Sequence, residues 1–249
     1  MKKTLICAVL VLMLLCSTAF ADTLKMASSI DFAPYEYYDD ETGEIVGIDV
    51  EIAQAVCDAL GYELEITDVQ FDSIIAGVVA GKYDFGMSGF TITEERKQSV
   101  DFSTPYTTTA QKIIVPEGSA ITSVDDLFNT ENSFTIAVQQ GTTGDLYITD
   151  DVEAKGLKHE VLRYNKAPDA VSALLAGKAD CMIIDGEVAD SFVASNEGLQ
   201  VLDSAYAYEE YAICFAKDNE LYDAFNTELE KLIADGTVQS IIDKYITED

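Results

Sequence analysis

The chain has only two arginines, Arg96 and Arg163, among its 15 basic residues. Arg96 ends the run Thr91-Ile92-Thr93-Glu94-Glu95-Arg96, a few residues past a strand-like segment that closes on Ser88 and Gly89. A guanidinium there can hold a carboxylate through two parallel hydrogen bonds, which a lysine cannot reproduce. Thr93 is placed to cap the short helix that follows, whose first amides would face the same anion. The same spacing suits a surface arginine paired with Glu94 or Glu95, and sequence alone leaves both readings open. In the other half, Gly141-Thr142-Thr143-Gly144 follows a strand-like segment and precedes a helix. It reads either as a second loop of amides and hydroxyls facing an anion or as an ordinary strand-to-helix turn. Asp185 follows the apolar pair Ile183-Ile184, where a carboxylate either caps a helix or receives an ammonium group. A carboxylate grip in one half and an ammonium grip in the other together describe an α-amino acid.

Little else in the chain suits chemistry, so no catalytic residue, metal or cofactor is expected. The single histidine, His159, lies between Lys158 and Glu160, which suggests a solvated surface position. One histidine excludes the H-E-x-x-H metal site and leaves no second histidine for a common zinc set. Gly77 and Gly81 before Lys82 are one residue too close for a phosphate loop and fall at a helix end. Asp39-Asp40-Glu41 with Thr42-Gly43 lacks the alternating oxygen ligands of a calcium loop and reads as a turn between strands. With 45 acidic residues and a net charge of −30, the chain lacks the basic surface that nucleic-acid binding requires. Its 48% hydrophobic and 24% charged residues match globular usage.

The elements that must position these groups alternate between strand and helix. Leu24–Ser29 reads as a strand and Asp49–Leu60 as a helix stopped by Gly61. Glu63–Val69 reads as a strand, Ser73–Ala80 as a helix stopped by Gly81, and Tyr83–Met87 as a strand. That order suits parallel sheets covered by helices. The segment FDSIIAGVVAGKYDFGM from Phe71 has an echo 96 residues on, APDAVSALLAGKADCMI from Ala167. Both contain Ala-Gly-Lys-x-Asp, with the glycine placed to end a helix in the left-handed conformation. The echo implies two lobes of one design whose strand ends, Ser88-Gly89 and Ile184-Asp185, meet across a cleft. Two helices at the end, through Phe225 and Leu229 and then Ile241 and Ile242, should pack back on an existing lobe.

The first 21 residues read as a secretory leader, with Lys2 and Lys3, the apolar Leu5–Leu15 and the small-x-small Ala19-Phe20-Ala21. The mature chain then begins at Asp22. Cys16 leaves a lipid-anchored form as an alternative, against which stand the bulky Leu14 and Leu15. Cys57, Cys181 and Cys214 remain after cleavage. They sit in apolar stripes without C-x-x-C spacing and are expected as buried, unpaired thiols.

From Leu24 to Ile246 the chain resembles the periplasmic solute-binding proteins of ABC importers, in the branch that binds polar amino acids. The resemblance rests on Phe32-Ala33-Pro34-Tyr35, Gly47-Ile48-Asp49-Val50, Phe71-Asp72, Thr91 to Arg96, Val100-Asp101-Phe102-Ser103 with Pro105-Tyr106, and Gln140 to Gly144, in that order. It implies the type II two-lobed α/β fold, with a ligand cleft between lobes joined by crossovers near Thr107–Gln111 and Tyr206–Glu210. Lobe 1 would be residues 22–109 with 207–249, and lobe 2 residues 110–206. The resemblance further implies that Phe32 and Phe71 sandwich the ligand side chain. Arg96 with Ser88, Gly89, Thr91 and Thr143 would hold the α-carboxylate, beside Thr142 of the same loop. Asp185 with Ser88 or Gly89 would hold the α-ammonium. Members that take cationic amino acids often carry an acid where this chain has Ser29, which argues against a strongly cationic ligand. Gln139 would line the side-chain pocket.

The implied activity is capture of an L-amino acid by a monomer that closes on it, followed by delivery to an ABC permease in the membrane. Two alternatives belong to other classes. A cyclohexadienyl-dehydratase-like enzyme on the same fold would need a poised acid in the cleft, and a sensory binding module would dock on a signalling receptor.

Overall fold

The computed structural model describes residues 22–246. The expected leader, and Cys16 with it, therefore lies outside the described residues. The chain begins β1 (Thr23–Ser28), β2 (Tyr37–Tyr38), β3 (Ile45–Val46), α1 (Ile48–Leu60), β4 (Glu63–Asp68), α2 (Ile74–Val79), β5 (Phe85–Gly86) and β6 (Val100–Phe102). The long strand β7 (Thr107–Pro116) leads to β8 (Thr135–Gln139), α3 (Thr143–Lys155), β9 (Glu160–Tyr164), α4 (Ala167–Leu175), β10 (Cys181–Asp185) and α5 (Gly186–Ser195). It ends β11 (Leu199–Val201), β12 (Ala207–Tyr211), β13 (Cys214–Ala216), α6 (Tyr222–Ala234) and α7 (Thr237–Tyr245).

The echo seen in the sequence folds the same way twice. After α2, Gly81 takes φ +68° and donates to Val78 O; after α4, Gly177 takes φ +67° and donates to Leu174 O. Both are left-handed helix stops that a Cβ would strain. The aspartate of each copy then clips the new strand to its neighbour. Asp84 accepts from Lys25 N and Asp180 from Thr135 N, each at 2.7 Å, while their own amides donate to the carbonyls of Lys25 and Thr135.

Two sheets result. The first has the order β4-β1-β5-β13-β6, the second β11-β7-β10-β8-β9 with β12 also on β7. Parallel pairing, expected throughout, holds for β4-β1-β5 and for β9-β8-β10. The strands on the other side of each sheet are antiparallel, because β7, β12 and β13 belong to chain crossing between the sheets and enter from the opposite end. β7 and β12 pair with each other from Thr107↔Tyr211 to Gln111↔Ala207. This two-stranded ribbon is the connection between the halves.

Helix α1 buries Ile48, Ile52, Ala53, Val56 and Cys57, and α6 and α7 return to pack on it. Phe225, Leu229 and Val238 supply the buried contacts. The strand expected over Tyr83–Met87 is only Phe85–Gly86, since one flank of β5 meets the single residue Cys214 of β13. Asp39 makes the expected turn, accepting from Glu41 N, Thr42 N and Thr42 Oγ1, with Gly43 at φ +71°. Cys57, Cys181 and Cys214 are free and buried; burial pushes the Cys57 and Cys214 thiols up to about 12, which leaves them inert.

His159 is not on the surface. It is 8% exposed, accepts from Phe134 N through Nδ1, and makes a 2.7 Å bond from Nε2 to Leu127 O. Its ring stacks on Phe134. The charged neighbours point outward, and the ring ties the start of β8 to the turn before it.

Candidate functional site

The two sheets face each other across a small, largely enclosed cavity. Around it the structure brings together Ser29, Phe32, Phe71, Ser88, Gly89, Thr91, Arg96, Gln139, Thr142, Thr143 and Asp185, all singled out in the sequence, and adds Asp31. The lining comes from both halves, at the carboxyl ends of their parallel strands, where open α/β sheets place ligands.

Arg96 forms the cationic end. Its amide donates to Thr93 Oγ1 at 3.1 Å, the capping bond the spacing suggested. Arg96 is 7% exposed, and its guanidinium donates to Thr91 O at 2.8 Å and Gly141 O at 3.1 Å and lies over the stacked rings of Phe71 and Phe90. Glu94 pairs with Lys97 instead. Among the described residues no carboxylate lies within ion-pair distance of Arg96. A buried guanidinium with no anion and with N–H groups to spare has the chemistry to receive one.

Asp185 forms the opposite end. It occupies the N-cap position of α5 but makes no capping bond. Its Oδ2 accepts from Gln111 Nε2 at 2.7 Å, and its buried Oδ1 has no partner. Burial first, and then the nearby Glu209 carboxylate, pushes its titration up to about 8. A cation beside Oδ1 would restore the charged form.

Gln111 and Glu209 are buried neighbours of the cavity lining that the sequence did not single out. They stand on the two crossing strands, both buried. Gln111 Nε2 reaches Asp185, Glu209 Oε2 at 3.0 Å and Thr143 Oγ1 at 3.4 Å, and Thr91 Oγ1 donates to Glu209 at 3.1 Å. The Thr91 and Thr143 hydroxyls meet across the cleft at 3.4 Å. The one signal available was a glutamine beside Lys112 at the start of the apolar run Ile113–Val115, and its face depends on pairing.

Behind the cavity, Ser88 Oγ accepts from Ser29 N at 3.0 Å and donates to Glu36 at 2.6 Å, while Gly89 N donates to Asp49 at 2.8 Å. Ser88 is thus left as an acceptor toward the cavity and the Gly89 amide is already spent. Both facts suit an ammonium better than a carboxylate. Burial and the adjacent Asp49 push the Glu36 carboxyl well above the usual range, and a proton on its otherwise unpartnered Oε2 serves Asp49. Asp49 also accepts from Tyr106 at 2.7 Å.

The third wall is made by Phe32 and Phe71, 7% and 8% exposed, with Ser29, Asp31, Gln139 and Thr142. Gly89 takes φ +55°, and a Cβ there would lie 3.1 Å from the Phe32 ring, so glycine lets that ring into the wall. Gln139 Nε2 donates to Asn165 O at 3.3 Å. Thr142 donates to Gln139 O and accepts from Asp145 N at 3.4 Å, capping α3. Among the described residues no cluster of His, Cys, Asp or Glu could hold a metal ion.

Comparison with known proteins places the whole described chain in one context. The model of the bacterial extracellular solute-binding proteins, family 3, matches residues 24–248. The arginine-binding extracellular protein ArtP of Bacillus subtilis is 36% identical over 227 residues, 90% of this chain and 86% of that protein. A solved ancestral arginine-binding protein bound to glutamine superposes with a TM-score of 0.83 at 32% identity, covering 92% of this chain and all of that one. An ancestral amino acid-binding protein described as a precursor of cyclohexadienyl dehydratase gives 0.80 at 31% identity, covering 90% and 95%.

Proposed function

The chain belongs to the bacterial extracellular solute-binding proteins of family 3, and from that premise we propose that it captures an L-amino acid outside the cytoplasm and delivers it to an ABC importer. One observation carries the reading. Arg96, a buried cation without an anion, and Asp185, a buried carboxylate with an unpartnered oxygen, line the same cavity. That arrangement is the complement of a zwitterion. Arg96 with the Thr143 hydroxyl takes the α-carboxylate beside Thr91, whose own hydroxyl already donates to Glu209, Asp185 with Ser88 takes the α-ammonium, and Phe32 and Phe71 exclude water from the side chain.

Capture works by lobe closure. Residues 22–109 with 207–249 form lobe 1 and residues 110–206 lobe 2, the boundaries falling within the β7–β12 ribbon, where the bending occurs. In the closed arrangement Arg96 bonds to Gly141 O and Gln140 to Asp72 across the cleft. A ligand bridging both lobes adds the contacts that make this arrangement dominant. The protein acts as a monomer, exported by its leader to the periplasm or outer face of the cell; no described helix is long and apolar enough to cross a membrane. The relevant partner is a membrane permease, and nucleic acid has no place to bind on so acidic a chain.

A dehydratase-like enzyme is the second reading. It is supported by the likeness to a dehydratase precursor and by a cleft carboxyl, Asp185, that stays protonated near neutrality. Turnover of prephenate separates the two. An amino acid that stabilises the protein in a melting experiment, with no turnover, supports binding alone; product formation supports the enzyme.

A further inference from the structure

The cavity lining holds a second carboxylate, Asp31, whose side chain is 8% exposed. Both of its oxygens are engaged. Oδ1 accepts from Ser29 Oγ at 2.8 Å and Oδ2 from Ala167 N at 2.9 Å, the latter from the opposite half. Lys166, the residue before α4, brings an ammonium to the same spot. Its Nζ lies 2.8 Å from Asp68 Oδ1, 3.4 Å from Ser29 Oγ and 4.0 Å from Asp31 Oδ1. Asp68 in turn accepts from Ile30 N at 3.1 Å. The place that a cationic ligand tail would need, beside Asp31 and against Ser29, is therefore taken by a cation of the protein itself.

We propose that Lys166 is a specificity-determining residue, an internal counter-ion that satisfies Asp31 and Asp68 and so excludes lysine- and arginine-type side chains in favour of uncharged ones. The inference rests on the amino-acid-binding reading of the cavity and refines it. A ligand cation entering beside Asp31, whose side chain is 8% exposed, meets the like charge of Lys166, itself 29% exposed, at the edge of the cavity, a juxtaposition that costs affinity. An uncharged tail with an acceptor meets no such opposition, and the third N–H of Lys166 remains as a donor.

Lys166 also ties the two halves together, so its loss weakens every ligand, and the readout is a ratio in which that common effect cancels. L-glutamine and L-arginine are titrated by calorimetry into the mature chain, Lys166→Met and Lys166→Arg. Methionine keeps the unbranched stem and removes the charge; arginine keeps the charge. The wild-type chain and Lys166→Arg are expected to prefer glutamine. Lys166→Met should move the ratio of dissociation constants toward arginine by about tenfold or more. The proposal is overturned if wild type prefers arginine, or if the ratio in Lys166→Met moves by less than threefold. If neither amino acid binds any of the three, the binding reading itself fails, and this refinement with it.

Discussion

Replacing Arg96 with alanine separates a ligand-gripping guanidinium from a structural one. The side chain has five N–H donors, and the structure spends one on Thr91 O and one on Gly141 O, so three remain for a ligand carboxylate. Without them, that carboxylate would enter a closed cavity with no cation to meet it. Truncating one partner of such a buried pair costs roughly 2–5 kcal/mol, which is a loss of about 30-fold to several thousand-fold in affinity. Arg96→Lys keeps the charge but not the fork, and should fall between the variant and wild type. The empty variant should still unfold cooperatively, because the carbonyls it releases can be met by water in the vacated space. The assay is calorimetric titration with the amino acid that most stabilises the wild-type chain, beside a melting curve of the empty protein. A dissociation constant for Arg96→Ala within threefold of wild type would refute the assignment of the anion site.

Three further outcomes follow from the same geometry. With Asp185 held protonated up to about pH 8 in the empty cleft, a bound ammonium ionises it; binding near pH 6.5 should release a proton, seen as a heat that differs between buffers of different ionisation enthalpy. Because that folded-state value is raised, affinity should climb as pH rises toward about 8, and identical heats in both buffers would contradict it. Gly89→Ala places a Cβ 3.1 Å from Phe32 and Tyr211 at φ +55°, so it should lower unfolding free energy in urea by about 1–2 kcal/mol and weaken ligand binding. Glu36→Gln should leave stability within about 1 kcal/mol, since the carboxyl already donates a proton, whereas Asp49→Asn turns an amide toward the Gly89 and Tyr106 donors and should lose about 1–3 kcal/mol; equal losses would show that the proton is not where the structure requires it.

The parts of the fold that repeat locally were legible in the sequence. A helix stopped by a left-handed glycine and followed by a lysine and an aspartate is a local device, and Gly81 and Gly177 read alike because they do the same thing. Strand direction was less legible: an antiparallel return such as β13 is decided by a chain crossing more than 100 residues away from its partner strand β6. Among the cavity residues, those that stand out by type were found, since Arg96 is one of two arginines and Asp185 ends an apolar run. Gln111 and Glu209, which hydrogen-bond to the lining residues Asp185, Thr143 and Thr91, were not, because a polar residue in a strand faces inward only once its partners are known. His159 went wrong for a related reason. Its charged neighbours suggested solvent, but bonds to Phe134 and Leu127, both distant in sequence, bury it.

The most direct test of the zwitterion grip is a thermal-shift series on residues 22–249 with the common L-amino acids and, for the best of them, the matching amine without the carboxylate and the matching acid without the ammonium. At about 100 times its dissociation constant the amino acid should add about 2.7 kcal/mol of apparent stability, and both truncated analogues should add almost none. No shift with any amino acid, or an equal shift with either analogue, would contradict it.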